Sequence, residues 1–356
     1  MKILYLITGL GLGGAEKVVA DLADQMYALG HSVKIAYLTG DVLVKPVSEE
    51  IEIIALHLDS ASNFLSASKG YRQLIKNYQP DVVHAHMVHA NIFARLNRIG
   101  SRVPKLICTA HNSNEGGKAR MLAYRVTSSL SDTNTNVSEE ASEALIAKGA
   151  FNKNNLMTVY NGIDLSKFEK TSDDVILDKD DVNLIAVGRF SEQKDYPNLI
   201  HAFALLRQSL QKHIKLTIVG DGELREQIED LIQKLGLNNS VELLGQRSDI
   251  PQLLSQADFF VLASKHEGLP TVVIEAMACK CYVIATDCGG SREILGDTGK
   301  LVPIKNSQAL AEALKNAVSL EASERTRNNE QARARVEDLF SLEASVNKWL
   351  ELYEAK

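Results

Sequence analysis

"KILYLITGLGLGGAEKVVADLADQMYALGHSVKIAYL" (residues 2–38) decides the fold. Its opening run, "KILYLIT", is apolar without alternation, as a strand covered on both faces must be. In "AEKVVADLADQMYALG" (15–30), Val18, Val19, Leu22, Ala23, Met26 and Leu29 recur at helical spacing, and Gly30 suits the helix C-terminus. "HSVKIAYL" then reads as a second strand. Strand, glycine-rich turn, helix and strand make a βαβ unit, whose two strands run parallel.

Within the turn, Gly9, Gly11 and Gly14 spell GxGxxG, the dinucleotide fingerprint. That pattern also needs an acid about 20 residues further on to take the ribose. Here the acid near the end of the second strand is Asp41, beyond "YLTG", which is late, and no YxxxK occurs in the chain. The turn therefore suits a diphosphate without indicating a nicotinamide enzyme.

The same rhythm runs to the end of the chain. "PDVVHAH" (80–86), "PKLICTAH" (104–111) and "TNTNVS" (133–138) continue a first series of strands. "VNLIAVGR" (182–189), "IKLTIVGDG" (214–222), "SVELLG" (240–245), "ADFFVLAS" (257–264), "CYVIATD" (281–287) and "GKLVPI" (299–304) form a second. Between them, residues 161–181 are polar, charged and aperiodic, and read as a linker. The reading is α/β, with two doubly wound parallel-sheet domains at 1–165 and 166–340. The final helix, 341–356, holds the only tryptophan, Trp349, and is expected to pack back on the first domain. Open parallel sheets bind ligands beyond the carboxyl ends of their strands, so two such domains facing across a cleft place the chemistry in the loops after strands.

Composition fits this reading. The 356 residues are 45% hydrophobic and 24% charged, as in a globular protein, and no run approaches the roughly 18 apolar residues of a transmembrane helix. Residues 1–15 carry one n-region charge and lead straight into a helix, which argues against a signal peptide and for a cytoplasmic location. Cys108, Cys279, Cys281 and Cys288 have neither zinc nor disulfide spacing and read as reduced core thiols. His84 and His86 share a strand face, but with His89 they lack a carboxylate motif to complete a metal site.

The net charge of −6 divides into +2 over residues 1–160 and −8 over the rest. Residues 95–125 hold Arg95, Arg98, Arg102, Lys105, Lys118, Arg120 and Arg125 against Glu115. That stretch suits an anionic partner or membrane surface as well as it suits a solvated helix face. No nucleic-acid partner is expected.

The densest chemistry lies in "SKHEGLPTVVIEAMACK" (264–280). Pro270 and Thr271 mark a helix start, and "TVVIEAMA" is apolar on nearly every face, so the helix is buried. Glu275 interrupts it and should have a specific partner, because a buried carboxylate is costly without one. Glu267 sits in the loop feeding the helix, beside the backbone N–H groups of Gly268 and Leu269. Acceptors and donors side by side match a ligand with hydroxyls and phosphates, such as a nucleotide sugar. A structural pair of Glu275 with Arg292, leaving Glu267 in solvent, fits the spacing equally.

Glu267 and Glu275 also form the ExxxxxxxE motif, and this segment resembles the retaining GT-B glycosyltransferases of family 4. "GGAEK", "HAH", "TAHN", "VYNGID", "VGRFSEQKD", "VGDGE" and "LLGQRSDI" follow in that family's order. The resemblance spans nearly the whole chain. It implies that Glu275 binds the donor ribose, that Glu267, Gly268 and Leu269 contact the donor sugar, and that His111 lies near the transferred sugar. Arg189 and Lys194 match the diphosphate-binding pair, and their charge would stabilise the departing nucleoside diphosphate. Gly13 and Gly14 would approach that diphosphate, and Gln246 and Arg247 would read the base.

The implied activity is hexosyl or N-acetylhexosaminyl transfer from a nucleotide diphosphate sugar, UDP-linked in preference to GDP-linked, with retention. The acceptor would be a saccharide or lipid-linked glycan in surface polysaccharide synthesis, reached at the inner membrane face. No metal and no cofactor beyond the donor are expected. The nearest alternative is a non-hydrolysing UDP-sugar 2-epimerase of the same architecture.

Overall fold

The amino-terminal run forms β1 (Lys2–Ile7), buried at every residue after Lys2, and β2 (Ser32–Tyr37) pairs with it in parallel. The computed structural model describes residues 1–112, 116–169, 181–210 and 213–355. Strands β3 (Glu52–Ala55), β4 (Val82–His86), β5 (Lys105–Ala110), β6 (Thr133–Asn136) and β7 (Met157–Thr158) complete the first sheet, in the order β3-β2-β1-β4-β5-β6-β7. Helices α1 (Gly14–Ala28), α2 (Phe64–Tyr78), α3 (Val88–Arg98), α4 (Lys118–Thr127) and α5 (Glu139–Ala147) lie between its strands in sequence. Gly30 adopts a left-handed φ of 83° after α1, while Leu29, read as apolar-face, is exposed because the helix ends there.

The second sheet comprises β8 (Asp181–Val187), β9 (His213–Val219), β10 (Val241–Gly245), β11 (Phe259–Leu262), β12 (Tyr282–Thr286) and β13 (Lys300–Val302). Its order is β10-β9-β8-β11-β12-β13. Its helices are α6 (Tyr196–Ser209), α7 (Arg225–Lys234), α8 (Ile250–Gln256), α9 (Thr271–Ala278), α10 (Ser291–Leu295), α11 (Ser307–Val318) and α12 (Ala322–Phe340). The last helix, α13 (Leu342–Glu354), carries Trp349. All strand pairs in both sheets are parallel.

The chain divides into two compact units, Met1–Gly162 with Glu343–Lys356, and Ile163–Leu342. Residues 170–180 of the expected linker lie outside the described residues. Where the chain returns, the backbone N–H of Leu342 donates to the carbonyl of Ile163 at 2.8 Å.

Each sheet reverses its winding once, between β1 and β4 in the first and between β8 and β11 in the second. Loops leaving the two strands at such a point part to opposite faces and leave a crevice between them. In the first unit those loops carry Gly9–Gly14 and the residues after His86. In the second they carry Arg189–Lys194 and Ser264–Glu267.

Candidate active site

In the second unit the reversal brings together a cation and a carboxylate 73 residues apart. Lys194 Nζ donates to Glu267 Oε1 at 2.7 Å, and Glu267 is only 8% exposed. The hydroxyl of Ser264, which is fully buried, donates to the same oxygen at 2.6 Å. Ser264 is held in turn by its carbonyl, which accepts from Thr286 Oγ1 at 2.7 Å. The two loops are further tied by the N–H of Lys265 on the Gln193 carbonyl at 2.8 Å.

Gly289 supports the carboxylate loop from β12. It has a left-handed φ of 53°, and a Cβ there would stand 2.5 Å from the carbonyl oxygens of Glu267 and Gly268. Only glycine lets the loops close in this way.

Arg189 is solvent-exposed and reaches Glu223, with its Nε donating to Oε2 at 3.2 Å. Gln246 and Arg247 follow β10 and are exposed; Arg247 pairs with Asp249 at 2.6 Å. Gly268 and Leu269 lie just ahead of α9, whose N-cap is Pro270.

Glu275 corrects one expectation. Arg292 pairs with Asp287 instead, and the Glu275 side chain makes no hydrogen bond or ion pair among the described residues. Burial lifts its carboxyl from the ordinary range to about 7. The partner that a half-buried carboxylate calls for is not found among the described residues.

In the first unit, α1 starts at Gly14 with Gly13 as extended N-cap, and the Glu16 carboxylate folds back over Gly13. At the carboxyl ends of β4 and β5, His86 Nδ1 and His111 Nε2 share a hydrogen bond of 3.0 Å. The rings of His84 and His86 lie 3.9 Å apart between centroids, tilted by 39°, and His84 bonds Tyr353 of α13 through Nδ1 and Thr109 through Nε2, both at 2.7 Å. Burial drives His84 and His86 well below the usual imidazole range, and His111 down to about 4. All three are therefore neutral near pH 7.

The histidine cluster is thus 84, 86 and 111, whereas His89 is exposed on α3. Among the described residues no group of three His, Cys, Asp or Glu side chains is placed to hold a metal ion. The four cysteines are buried free thiols.

The basic stretch also divides. Arg95 is fully buried, over the rings of Tyr124 and Phe151 at 5.1 and 5.6 Å, with Asn134 accepting from Nη2. It is a core residue, and no part of a surface patch. Arg98 pairs with Asp132 at 2.7 Å. On α4, by contrast, Lys118 and Arg125 are exposed alongside Leu122 and Val126, 61% and 64% exposed.

Ser264 and Tyr353 escaped the sequence reading. A hydroxyl directly after the buried strand "FFVLA" was the signal for the first; nothing local announces the second.

Two family models match the chain: Glycosyl transferases group 1 over residues 167–335 and Glycosyltransferase Family 4 over residues 12–167. "N-acetylgalactosamine-N,N'-diacetylbacillosaminyl-diphospho-undecaprenol 4-alpha-N-acetylgalactosaminyltransferase" of Campylobacter jejuni is 27% identical over 368 residues, spanning 98% of this chain and 99% of its own. "Amylovoran biosynthesis glycosyltransferase AmsD" of Erwinia amylovora is 27% identical over 340 residues, 92% of each chain. Among solved structures, HepE of Anabaena in complex with UDP superposes with a TM-score of 0.82 at 22% identity, covering 100% of both chains.

Proposed function

Since this chain belongs to the group 1 glycosyltransferases and has their GT-B architecture, we propose that it moves a hexosyl or N-acetylhexosaminyl unit from a UDP-sugar to a saccharide or lipid-linked acceptor. The observation that carries this reading is the Lys194–Glu267 pair at the winding reversal of the second sheet, 2.7 Å apart and tied to Ser264. A cation and a carboxylate held together there suit a substrate with a phosphate next to a sugar hydroxyl.

In the reaction, the bond from the anomeric carbon to the diphosphate oxygen breaks and a bond to the acceptor oxygen forms. Negative charge grows on the departing diphosphate, where Lys194 and Arg189 stabilise it more than in the bound donor. The acceptor hydroxyl loses its proton to that leaving oxygen, and attack from the same face retains configuration. These cations take the place of a divalent ion. In the first unit the turn at Gly13 and Gly14, which opens α1, offers backbone N–H groups suited to an anion, and His111, neutral near pH 7, is suited to hydrogen bonds with hydroxyls. In the second unit Gln246 and Arg247 are assigned to the base.

Glu275 supports the same reading. A ribose diol has two hydroxyl donors, which a carboxylate with no protein partner lacks. The acceptor is assigned to the first unit. The exposed face of α4, with Leu122 and Val126 beside Lys118 and Arg125, is assigned to an anionic membrane. No helix among the described residues is long and apolar enough to cross a membrane.

Purified protein incubated with UDP-sugars and glycan acceptors in EDTA tests the proposal. Lys194→Ala is expected to lower kcat about 10²-fold or more with the fold intact, and proton NMR of the product to show the donor's anomeric configuration. A fully active Lys194→Ala enzyme, or an inverted product, would sink the mechanism.

A further inference from the structure

A groove of about 750 Å³ runs along α2 in the first unit, closed on its other side by the turn at residues 100–104. Lys69, Arg72 and Lys76 recur on one face of the helix and line it, and Arg102 lines it from the turn. Asp81 is the one carboxylate in its lining, and it already accepts from the backbone N–H of Lys2 at 2.7 Å. Among the described residues the side chains of Lys69, Lys76 and Arg102 make no ion pair or hydrogen bond. Four cations against one carboxylate leave an excess of positive charge, and an oxyanion between them relieves that cost.

Arg72 is already positioned for one. Its Nε donates to Oδ1 of the buried Asn97 at 3.2 Å. Its guanidinium rests on the backbone at Gly100, where a Cβ would come within 2.8 Å of Cζ. Both Nη groups have no acceptor among the described residues. A guanidinium pinned through Nε, with its fork open, fits two phosphate oxygens and loses little freedom on binding. Ser68, 5% exposed, also lines the groove, and its hydroxyl has no partner among the described residues.

The cationic end of the groove lies apart from the active site. Asp81 and residues 100–104 precede β4 and β5, whereas His86 and His111 sit at their far ends. Five residues of strand span about 16 Å. The volume is that of a small-molecule site, within the roughly 300–1,000 Å³ usual for one.

We propose that this groove binds a phosphate group, carried by a soluble ester or a lipid headgroup, at a site separate from the one that holds the nucleotide. The proposal does not rest on the transferase reading.

Inorganic diphosphate is the probe, titrated calorimetrically into the full chain carrying Arg189→Ala and Lys194→Ala, so that the second unit's cations do not contribute. Binding is expected to persist in that background and to weaken about tenfold or more when Arg72→Gln and Arg102→Gln are added. Both positions are exposed, and an unchanged melting temperature confirms the fold. Binding lost with the Arg189 and Lys194 changes alone, or undiminished by Arg72→Gln with Arg102→Gln, overturns the proposal.

Sedimentation with phosphatidylglycerol and phosphatidylcholine vesicles then identifies the source. In a chain whose α4 face is blunted by Leu122→Ser and Val126→Ser, binding to the anionic vesicles that depends on Arg72 and Arg102 assigns a lipid headgroup. Diphosphate binding without such vesicle binding assigns a soluble phosphate.

Discussion

Glu275 and Ser264 make opposite demands on a carboxylate. Glu275 stands without a partner, and burial alone lifts it to about 7. In the proposed ribose role the diol donates to both oxygens of the ionised form, whereas the protonated form keeps one weaker acceptor and adds a donor, so donor binding favours loss of the proton. At pH 6 about a tenth of such a group is ionised, and UDP-sugar affinity is expected to be about tenfold weaker there than at pH 8. Glu275→Gln should flatten that dependence in a titration across the range; a parallel slope in the variant would remove Glu275 from the ribose site. Glu267 instead has two donors on one oxygen. Losing the Ser264 hydroxyl removes a hydrogen bond to a charged group, which is worth about 1.5–3 kcal/mol. Ser264→Ala should therefore cut kcat roughly 10-fold or more while the donor KM moves little, and Ser264→Thr should recover part of it. A change confined to melting temperature would make Ser264 purely structural.

At the scale of elements, α13 closes the polar face of the first sheet. Trp349 is 2% exposed and packs on His84, their ring centroids 4.4 Å apart, while Tyr353 bonds both His84 and Tyr5, the latter at 3.1 Å. Tyr353→Phe leaves two buried polar groups short of a partner and should cost about 1–3 kcal/mol in denaturant unfolding. The neutral histidines add a pH term. Buried at lowered pKa, they stay unprotonated when folded but protonate below about 6.5 when unfolded, so stability falls as pH drops through that value. The first unit is expected to lose stability between pH 6.5 and 5, by up to about 1.4 kcal/mol per pH unit for each histidine. Replacing His86 by Phe should reduce that slope in melts recorded against pH; an unchanged slope would mean that it is charged when folded. These elements were unequally legible. The continuous apolar strands and α9, with its proline start, announce themselves, whereas β3 is half-buried at the sheet edge and β7 has two residues, too little burial or length to leave a periodic pattern.

For the whole molecule, the nucleotide is the natural test of the assembled second unit. UDP at 100 times its dissociation constant adds about 2.7 kcal/mol, which for a unit of this size raises the melting temperature by roughly 5–10 °C. That shift should appear in EDTA, and should shrink in Lys194→Ala; stabilisation by neither UDP nor GDP would count against the donor assignment. The alternating runs of residues 2–38 and their repetition determined two parallel α/β units, because burial on both faces of a strand and one face of a helix is written into local apolar spacing. The loop and helix around Glu267 and Glu275 were likewise legible, since they are continuous in sequence. Only the tertiary structure decided that Lys194 meets Glu267, that Arg292 does not meet Glu275, that Arg95 is core, and that His111 joins His86 instead of His89. Each of those depends on which strands become neighbours at a winding reversal and on what covers them, and that packing brings together residues whose separation in sequence carries no periodic signal.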